Sequence, residues 1–329
     1  MRVLALRRQT TGSAKTLLDG LVLALDQQGI ELVVDDAGDW IPDRTGPSVD
    51  KEVSKLVKRA AQGFDMVHAW GYRAAWACSE AFYLRSPWVY TAYDIPKTTR
   101  SELIDRLGAA HRGLCSSATV KQVLDEEHTT NLEMIVPGVQ APNEWPTREQ
   151  AREALGVRED TKLIVAMGQF VMQKGFDPLV EAMATVRSEV HGARLFLSGA
   201  GPEPPPVFQD GVDIKGPVPD VWAVLPAADL VVVPSLQAGF SLLGAEAMWT
   251  GAPVLFRRAG GLVDMADENI NAFFFEHDHE LGQKIVDILD MELTVESVAR
   301  SGQLRSQARF KFERFARETA QVYREVAGA

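Results

Sequence analysis

Leu230-Val231-Val232-Val233 is an uninterrupted apolar run, followed at once by Pro234-Ser235 and, a few positions later, by a helical stretch. Such a run reads as a strand buried on both faces, and therefore as part of a parallel sheet. Parallel strands need crossover connections, usually helices, so this feature commits the chain to an α/β fold. Gly239 permits the turn into the helix, and Gly251 stands where a helix ends. The loop between them lies at the strand's carboxyl end, where free amides and the helix dipole suit an anion. Glu246 lies about two turns further on, clear of that anion and suited to accept hydrogen bonds from a diol such as a ribose. An ordinary βα unit with a solvated Glu246 fits the same residues.

The rest of the chain repeats the alternation. Strands are expected at Arg2–Leu6, Ile30–Val34, Phe64–Trp70, Trp88–Asp94, Gly113–Ser116 and Glu133–Val136. Helices are expected at about Lys15–Gln28, Val49–Gly63, Ala74–Tyr83 and Ser101–Ala110, and after Ser117. The small and polar Gln9–Ala14 reads as a loop at the end of the first strand, open to close approach by a ligand at Gly12. Lys51, Lys55, Lys58 and Arg59 on Val49–Gly63 read as the solvated face of a crossover helix rather than a membrane surface. His68 ends a strand and reads as structural.

Pro137–Pro146 has linker composition, and Thr147 caps a helix at Arg148–Leu155. Further strands follow at Leu163–Met167, Ala193–Ser198, Val212–Gly216 and Pro253–Phe256, with a helix at Phe176–Arg187 and a helical turn at Val221–Pro226. A final helix, about Arg309–Val326, is long enough to return to the first domain. The expected division is therefore 1–140, 141–308 and a returning helix at 309–329. The fold class is α/β, two Rossmann-like doubly wound domains with ligand sites beyond the strands' carboxyl ends.

Composition narrows the function. A formal net charge of −11 argues against a nucleic-acid partner. Cys78 and Cys115 lie in apolar segments and read as thiols of a reducing compartment. No apolar run is long enough to span a bilayer, and the N-terminus opens into a strand rather than a signal peptide. A cytoplasmic location is the expectation.

The order of motifs resembles that of GT-B glycosyltransferases, of the retaining family 4 kind (glycosyltransferases group 1). The resemblance is carried by Gly168, Gln173-Lys174-Gly175, Ser198-Gly199-Ala200-Gly201-Pro202, Gly216-Pro217-Val218, Ala227-Ala228-Asp229, Pro234-Ser235, Gly239-Phe240, Glu246-Ala247-Met248, Gly251-Ala252-Pro253-Val254 and Gly260-Gly261. It covers about residues 160 to 280 strongly, and the first half more loosely through Gly12, Asp65–His68 and Pro87–Asp94.

The resemblance implies two domains facing across a cleft, and transfer from a nucleotide-diphosphate sugar to a hydroxyl with retention. No cofactor and no metal are implied, because protein cations and amides hold the diphosphate. Glu246 matches the ribose-binding Glu, Lys174 the diphosphate-binding lysine, and Gly216 and Val218 the segment against the base. Gly239, Phe240, Ser241 and Leu242 match the helix start that faces phosphate and sugar, and Gly12 matches a loop closing over the diphosphate. Tyr93 and Asp94 are implied on the acceptor side, and the shortness of the first domain favours a small acceptor.

Three positions depart from the family's pattern. Ala238 stands where a Glu holds the donor sugar, Gln169 where an Arg holds phosphate, and Tyr93 where a His is expected. Arg7, Arg8, Arg257 and Arg258 are candidates to supply the missing cation. The leading reading is a hexosyltransferase; the alternative is a degenerate GT-B protein that binds a nucleotide or nucleotide sugar without turnover. An epimerase or phosphorylase would need an inorganic-phosphate or cofactor pocket that these motifs do not supply.

Overall fold

The computed structural model describes residues 1–8, 12–39, 41, 47–82, 87–95, 107–126, 131–205 and 210–328. The chain divides into two compact units, one of Met1–Gly138 with Phe312–Ala329 and one of Val139–Lys311. Among the described residues no helix is long and apolar enough to cross a membrane.

The first unit is built on six parallel strands: β1 (Arg2–Arg7), β2 (Glu31–Asp36), β3 (Met66–Trp70), β4 (Trp88–Ala92), β5 (Arg112–Cys115) and β6 (Leu132–Met134). Their order is β2-β1-β3-β4-β5-β6, with connections through α1 (Gly12–Asp26), α2 (Pro47–Ala60), α3 (Tyr72–Phe82) and α4 (Ala118–Glu126). β3 and β4 are buried along their whole length, which is why they read as continuous apolar runs.

The second unit repeats the plan. Its strands are β7 (Leu163–Gln169), β8 (Arg194–Ala200), β9 (Val212–Lys215), β10 (Leu230–Val233), β11 (Val254–Arg257) and β12 (Phe273–Phe275), in the order β12-β11-β10-β7-β8-β9. Its helices are α5 (Arg148–Leu155), α6 (Phe176–Glu189), α7 (Leu242–Thr250), α8 (Leu281–Asp290) and α9 (Glu292–Arg309). The last helix, α10 (Phe312–Ala327), belongs to the first unit and packs on α1.

In both sheets the strand order reverses at one place, between β1 and β3 and between β7 and β10. Connections there leave to opposite faces, which opens a crevice beyond the carboxyl ends of those two strands.

Several expectations need correction. α1 begins at Gly12, which has φ +72°, so Gly12 heads a helix instead of lying within a loop that runs to Ala14. The loop's Gln9, Thr10 and Thr11 lie outside the described residues. So do residues 96–106, with most of the helix expected at 101–110, and most of 39–48. Only a single 3-10 turn, Leu107–Ala109, is described where the expected helix ends. The final helix starts at Phe312, because Arg309 and Phe310 end α9.

β12, α8 and α9 have no counterpart among the sequence expectations. α9 escapes hydropathy analysis because its buried stripe is Val298, Ala299, Gly302 and Ser306. Small residues at that spacing allow close approach. A Cβ on Gly302 would stand 2.6 Å from the Asn271 carbonyl oxygen, and the Ser306 hydroxyl donates to the Ala245 carbonyl at 2.8 Å.

Candidate nucleotide-sugar site

The carboxyl ends of β7 and β10 are locked together. After β7, Met172–Lys174 form a 3-10 turn that Gly175 ends in the left-handed conformation, φ +66°. A Cβ on Gly175 would lie 2.3 Å from the Pro234 carbonyl oxygen, so this glycine is required by the backbone that passes it. The Leu236 N–H donates to the Gln173 carbonyl at 2.9 Å, joining the two loops of the reversal point. Lys174 rides on this turn, half-buried and without an ion pair among the described residues.

Three more loops are fastened alongside. The Gly261 N–H donates to the Ala238 carbonyl at 2.8 Å, fixing the glycine turn after β11 to the loop after β10. The Phe170 N–H donates to the Ala200 carbonyl at 2.9 Å, and a Cβ on Gly199 would overlap the Gly168 carbonyl oxygen at 1.9 Å. Beyond β8, the Ser198 hydroxyl donates to the Gly216 carbonyl at 2.8 Å and accepts from the Val218 N–H at 3.1 Å. Gly216 itself has open space where a Cβ would project.

α7 points its amino end at this cluster. Ser241 is its N-cap and accepts from the Gly244 N–H at 3.0 Å, while its own N–H donates to the Met265 sulfur at 3.4 Å. Ser241 therefore serves as a cap, and the amides of Leu242 and Leu243, with no carbonyl a turn behind them, are the ones left at the helix head. Phe240 anchors the loop through its ring, edge-on to Phe310 at 5.5 Å. Ala238 is buried, with no polar group to offer a sugar.

Glu246, on α7, is 8% exposed and has no hydrogen-bond or ion-pair partner among the described residues. The solvated reading of this residue is overturned. Burial, reinforced by the Asp220 carboxylate, pushes its pKa up to about 8. Asp220 is held by the Trp222 N–H, which donates to it at 2.9 Å.

The candidate substitute cations are engaged elsewhere. Arg257 donates to the Pro234 carbonyl at 3.0 Å and the Glu276 carbonyl at 3.2 Å, pairs with Asp278, and stacks on Phe275. Arg258 pairs with Glu268 and Glu276. In the first unit Arg7 is buried between Asp19 and Asp36, and Arg8 donates to the Ile41 carbonyl at 3.0 Å. Arg257 braces the loop after β10 from behind, a role that only the fold reveals. Gln169 ends β7 and brings no charge.

The first unit places Tyr93 and Asp94 just beyond β4. The Tyr93 carbonyl accepts from the Ser116 hydroxyl and the Asp94 carbonyl from the Tyr72 hydroxyl, both at 2.7 Å. Tyr93 lines a water-sized cavity of about 10 Å³ with Trp70, Thr91 and Ser116. Beneath it, buried His68 contacts the Tyr323 hydroxyl of α10 at 2.5 Å and the Thr91 hydroxyl at 2.7 Å. Burial pushes the His68 pKa down to about 3, so the imidazole is neutral and structural.

Sequence reasoning missed the part played by Ser198, and it did not identify Asp220 as the cap of the turn at Trp222. The signal for Ser198 is its place at the end of a buried strand, where a hydroxyl has only backbone to bond. Asp220 stands two residues before a buried Trp, the pattern of a short cap.

Two doubly wound parallel sheets, with loops gathered at the carboxyl side of each reversal point, define the fold of the GT-B glycosyltransferases. Sucrose-phosphate synthase from Thermosynechococcus elongatus superimposes on the chain with a TM-score of 0.82, at 19% identity over 100% of this chain and 99% of that one. Anabaena HepE, solved in complex with UDP-glucose, does so with a TM-score of 0.79, at 18% identity over 99% and 100%.

The family model "Glycosyl transferases group 1" matches residues 161–291, which lie within the second unit. Among curated proteins, the D-inositol 3-phosphate glycosyltransferase of Corynebacterium urealyticum is 24% identical over 83% of this chain and 74% of its own length. A glycosyltransferase of Methanocaldococcus jannaschii is 31% identical over 40% of this chain, which spans only 36% of that relative.

Proposed function

We propose that this protein transfers a hexosyl group from a nucleotide-diphosphate sugar to an acceptor hydroxyl, with retention and without a metal ion or cofactor. The observation that carries the reading is Glu246: an acidic residue more than nine-tenths buried, with no side-chain partner among the described residues, on a helix that follows the loop bonded to the turn of Lys174, a lysine without an ion pair there. A buried polar group of this kind is costly unless a ligand completes it. A ribose diol does so with two O–H donors, and a diphosphate suits Lys174 and the Leu242 and Leu243 amides. Anabaena HepE, solved with UDP and with UDP-glucose, supports the same ligand class, and the names of the curated relatives support glycosyl transfer.

In this mechanism the bond from the anomeric carbon to the diphosphate oxygen breaks while Lys174 and the α7 amides hold the growing charge. The acceptor oxygen bonds to the same face of that carbon, and its proton passes to the leaving oxygen. Gly216 and Val218 flank the base, Gly239 and Phe240 shape the sugar end, and Tyr93 and Asp94 take the acceptor side. Gly12, heading α1, is assigned to the diphosphate.

A second reading, nucleotide-sugar binding without turnover, is favoured by Ala238 and by the engagement of Arg257, Arg258 and Arg7 in internal bonds. The test is calorimetric titration with UDP, ADP and GDP and their sugars, followed by a turnover assay on whichever binds. Binding lost on Glu246→Ala, roughly 10-fold or more from a charge-assisted hydrogen bond, is the expected result. Binding without release of nucleotide, with or without added acceptors, establishes the second reading. No binding at all overturns both.

A further inference from the structure

β9 lies at the edge of the second sheet and pairs with β8 alone among the described strands. Its last residue, Lys215, stands opposite Ser198. Two residues on, Pro217 has no N–H to give, so the ladder cannot continue through it. A segment that leaves an edge strand at a proline is loose unless something else holds it.

Here one hydroxyl takes over. Ser198 Oγ donates to the Gly216 carbonyl at 2.8 Å and accepts from the Val218 N–H at 3.1 Å, so it bonds the chain on both sides of Pro217. Ser198 is buried, and its own strand end is fixed. A Cβ on Gly199 would overlap the Gly168 carbonyl oxygen, and one on Gly201 would stand 2.2 Å from the Phe170 carbonyl oxygen, so the end of β8 lies hard against that of β7. The far end of the segment is held separately, by the Asp220 cap on Trp222 and by the packing of Trp222 on Trp145, ring centres 5.5 Å apart. Between those anchors the Gly216 N–H and the Pro217 and Val218 carbonyls have no partner among the described residues.

We propose that Ser198 is the positioning residue of the base subsite, and that its hydroxyl sets which nucleobase the site prefers. This rests on the nucleotide reading above and adds to it the residue that holds the segment beside the base. Bases differ in where their edges carry donors and acceptors, so backbone groups tell them apart only when held in one place. Ser198 acts through the segment it clamps, since its hydroxyl is already engaged in donating and accepting. The diphosphate groups are placed by other means: Lys174 by the turn that Gly175 ends, and the α7 amides by the Ser241 cap. Base preference and phosphate affinity are therefore separable.

The test is calorimetric titration of the whole protein with UDP, ADP, GDP and inorganic pyrophosphate, for wild type, Ser198→Ala and Ser198→Thr. Wild type is expected to favour one base. Ser198→Ala is expected to weaken the preferred nucleotide roughly 3- to 10-fold relative to the other two, with the pyrophosphate Kd unchanged. Ser198→Thr keeps the hydroxyl and keeps the preference. A role in stability alone would lower the melting midpoint of Ser198→Ala and leave the ratios of the three Kd values as they were.

Unchanged base ratios in Ser198→Ala overturn this inference and leave the nucleotide reading standing. So does a wild type that binds the three nucleotides alike, and so does a pyrophosphate Kd that rises in step with theirs. A threonine variant with the ratios of the alanine variant overturns it as well. Failure of all three nucleotides to bind the wild type overturns the nucleotide reading and the inference with it.

Discussion

The two units share one plan, six parallel strands reversing at one point, yet they use their polar groups in opposite ways. In the second unit the loops at the strand ends are bonded to each other, Leu236 to Gln173, Gly261 to Ala238 and Ser198 to Gly216 and Val218. Beside that cross-bracing the side chains of Glu246 and Lys174 have no hydrogen-bond or ion-pair partner among the described residues. In the first unit several polar groups near the strand ends bond inward, His68 to Thr91 and Tyr323, Ser116 to Tyr93 and Tyr72 to Asp94, while the buried Trp70 indole N–H at the end of β3 has no partner among the described residues. On the proposed reading one unit is preorganised around a ligand's groups, while His68 of the other bonds to its own returning helix. A site whose donors and acceptors are already fixed needs little reorganisation when charge develops.

The sharpest break in that comparison is a pH titration of stability. Glu246 keeps its proton to about pH 8 in the folded chain, against an ordinary value of 4.5. Between those two values the unfolded chain has released a proton that the folded chain retains, so the Glu246 contribution falls as pH rises. Buried neutral His68, at about 3 against an ordinary 6.5, contributes the opposite slope up to pH 6.5, so the net fall shows between about pH 6.5 and 8. The slope approaches about 1.4 kcal/mol per pH unit, read as the pH dependence of a urea midpoint. Glu246→Gln flattens it. A slope unchanged in that variant would mean that the carboxyl is not held neutral by burial.

Next in size is Gly175→Ala. The left-handed φ and the Pro234 oxygen 2.3 Å from the new Cβ act together. The expected loss is about 1–3 kcal/mol, with weaker nucleotide binding because Lys174 shifts with the turn. An unchanged melting midpoint would show that the two loops are not locked as described.

In the first unit, Tyr323→Phe leaves one nitrogen of buried His68 without its partner, at an expected cost of about 1–3 kcal/mol. Hydrogen exchange should rise in α10 and β3, while nucleotide binding stays at the wild-type level. A change in nucleotide affinity of the same size would break the contrast between the units.

Much of this architecture is legible in the residues themselves. Parallel strands buried on both faces must be apolar throughout, so Leu230–Val233 and its counterparts declare themselves, and Gly and Pro mark where they end. Pro234–Gly251 identifies the βα loop of the candidate site, and its neighbours carry the family resemblance. What stays hidden is decided by packing. α9 is held by Gly302 and Ser306, which no hydropathy period reveals. Read alone, Arg257 is a spare cation, and only the path of the chain shows Pro234, Glu276 and Asp278 around it. A sequence states that residue 246 is a carboxyl, but not what surrounds it. Whether it is solvated, paired or buried alone depends on groups brought together from distant parts of the chain. Desolvation and proximity exist only once the chain is folded.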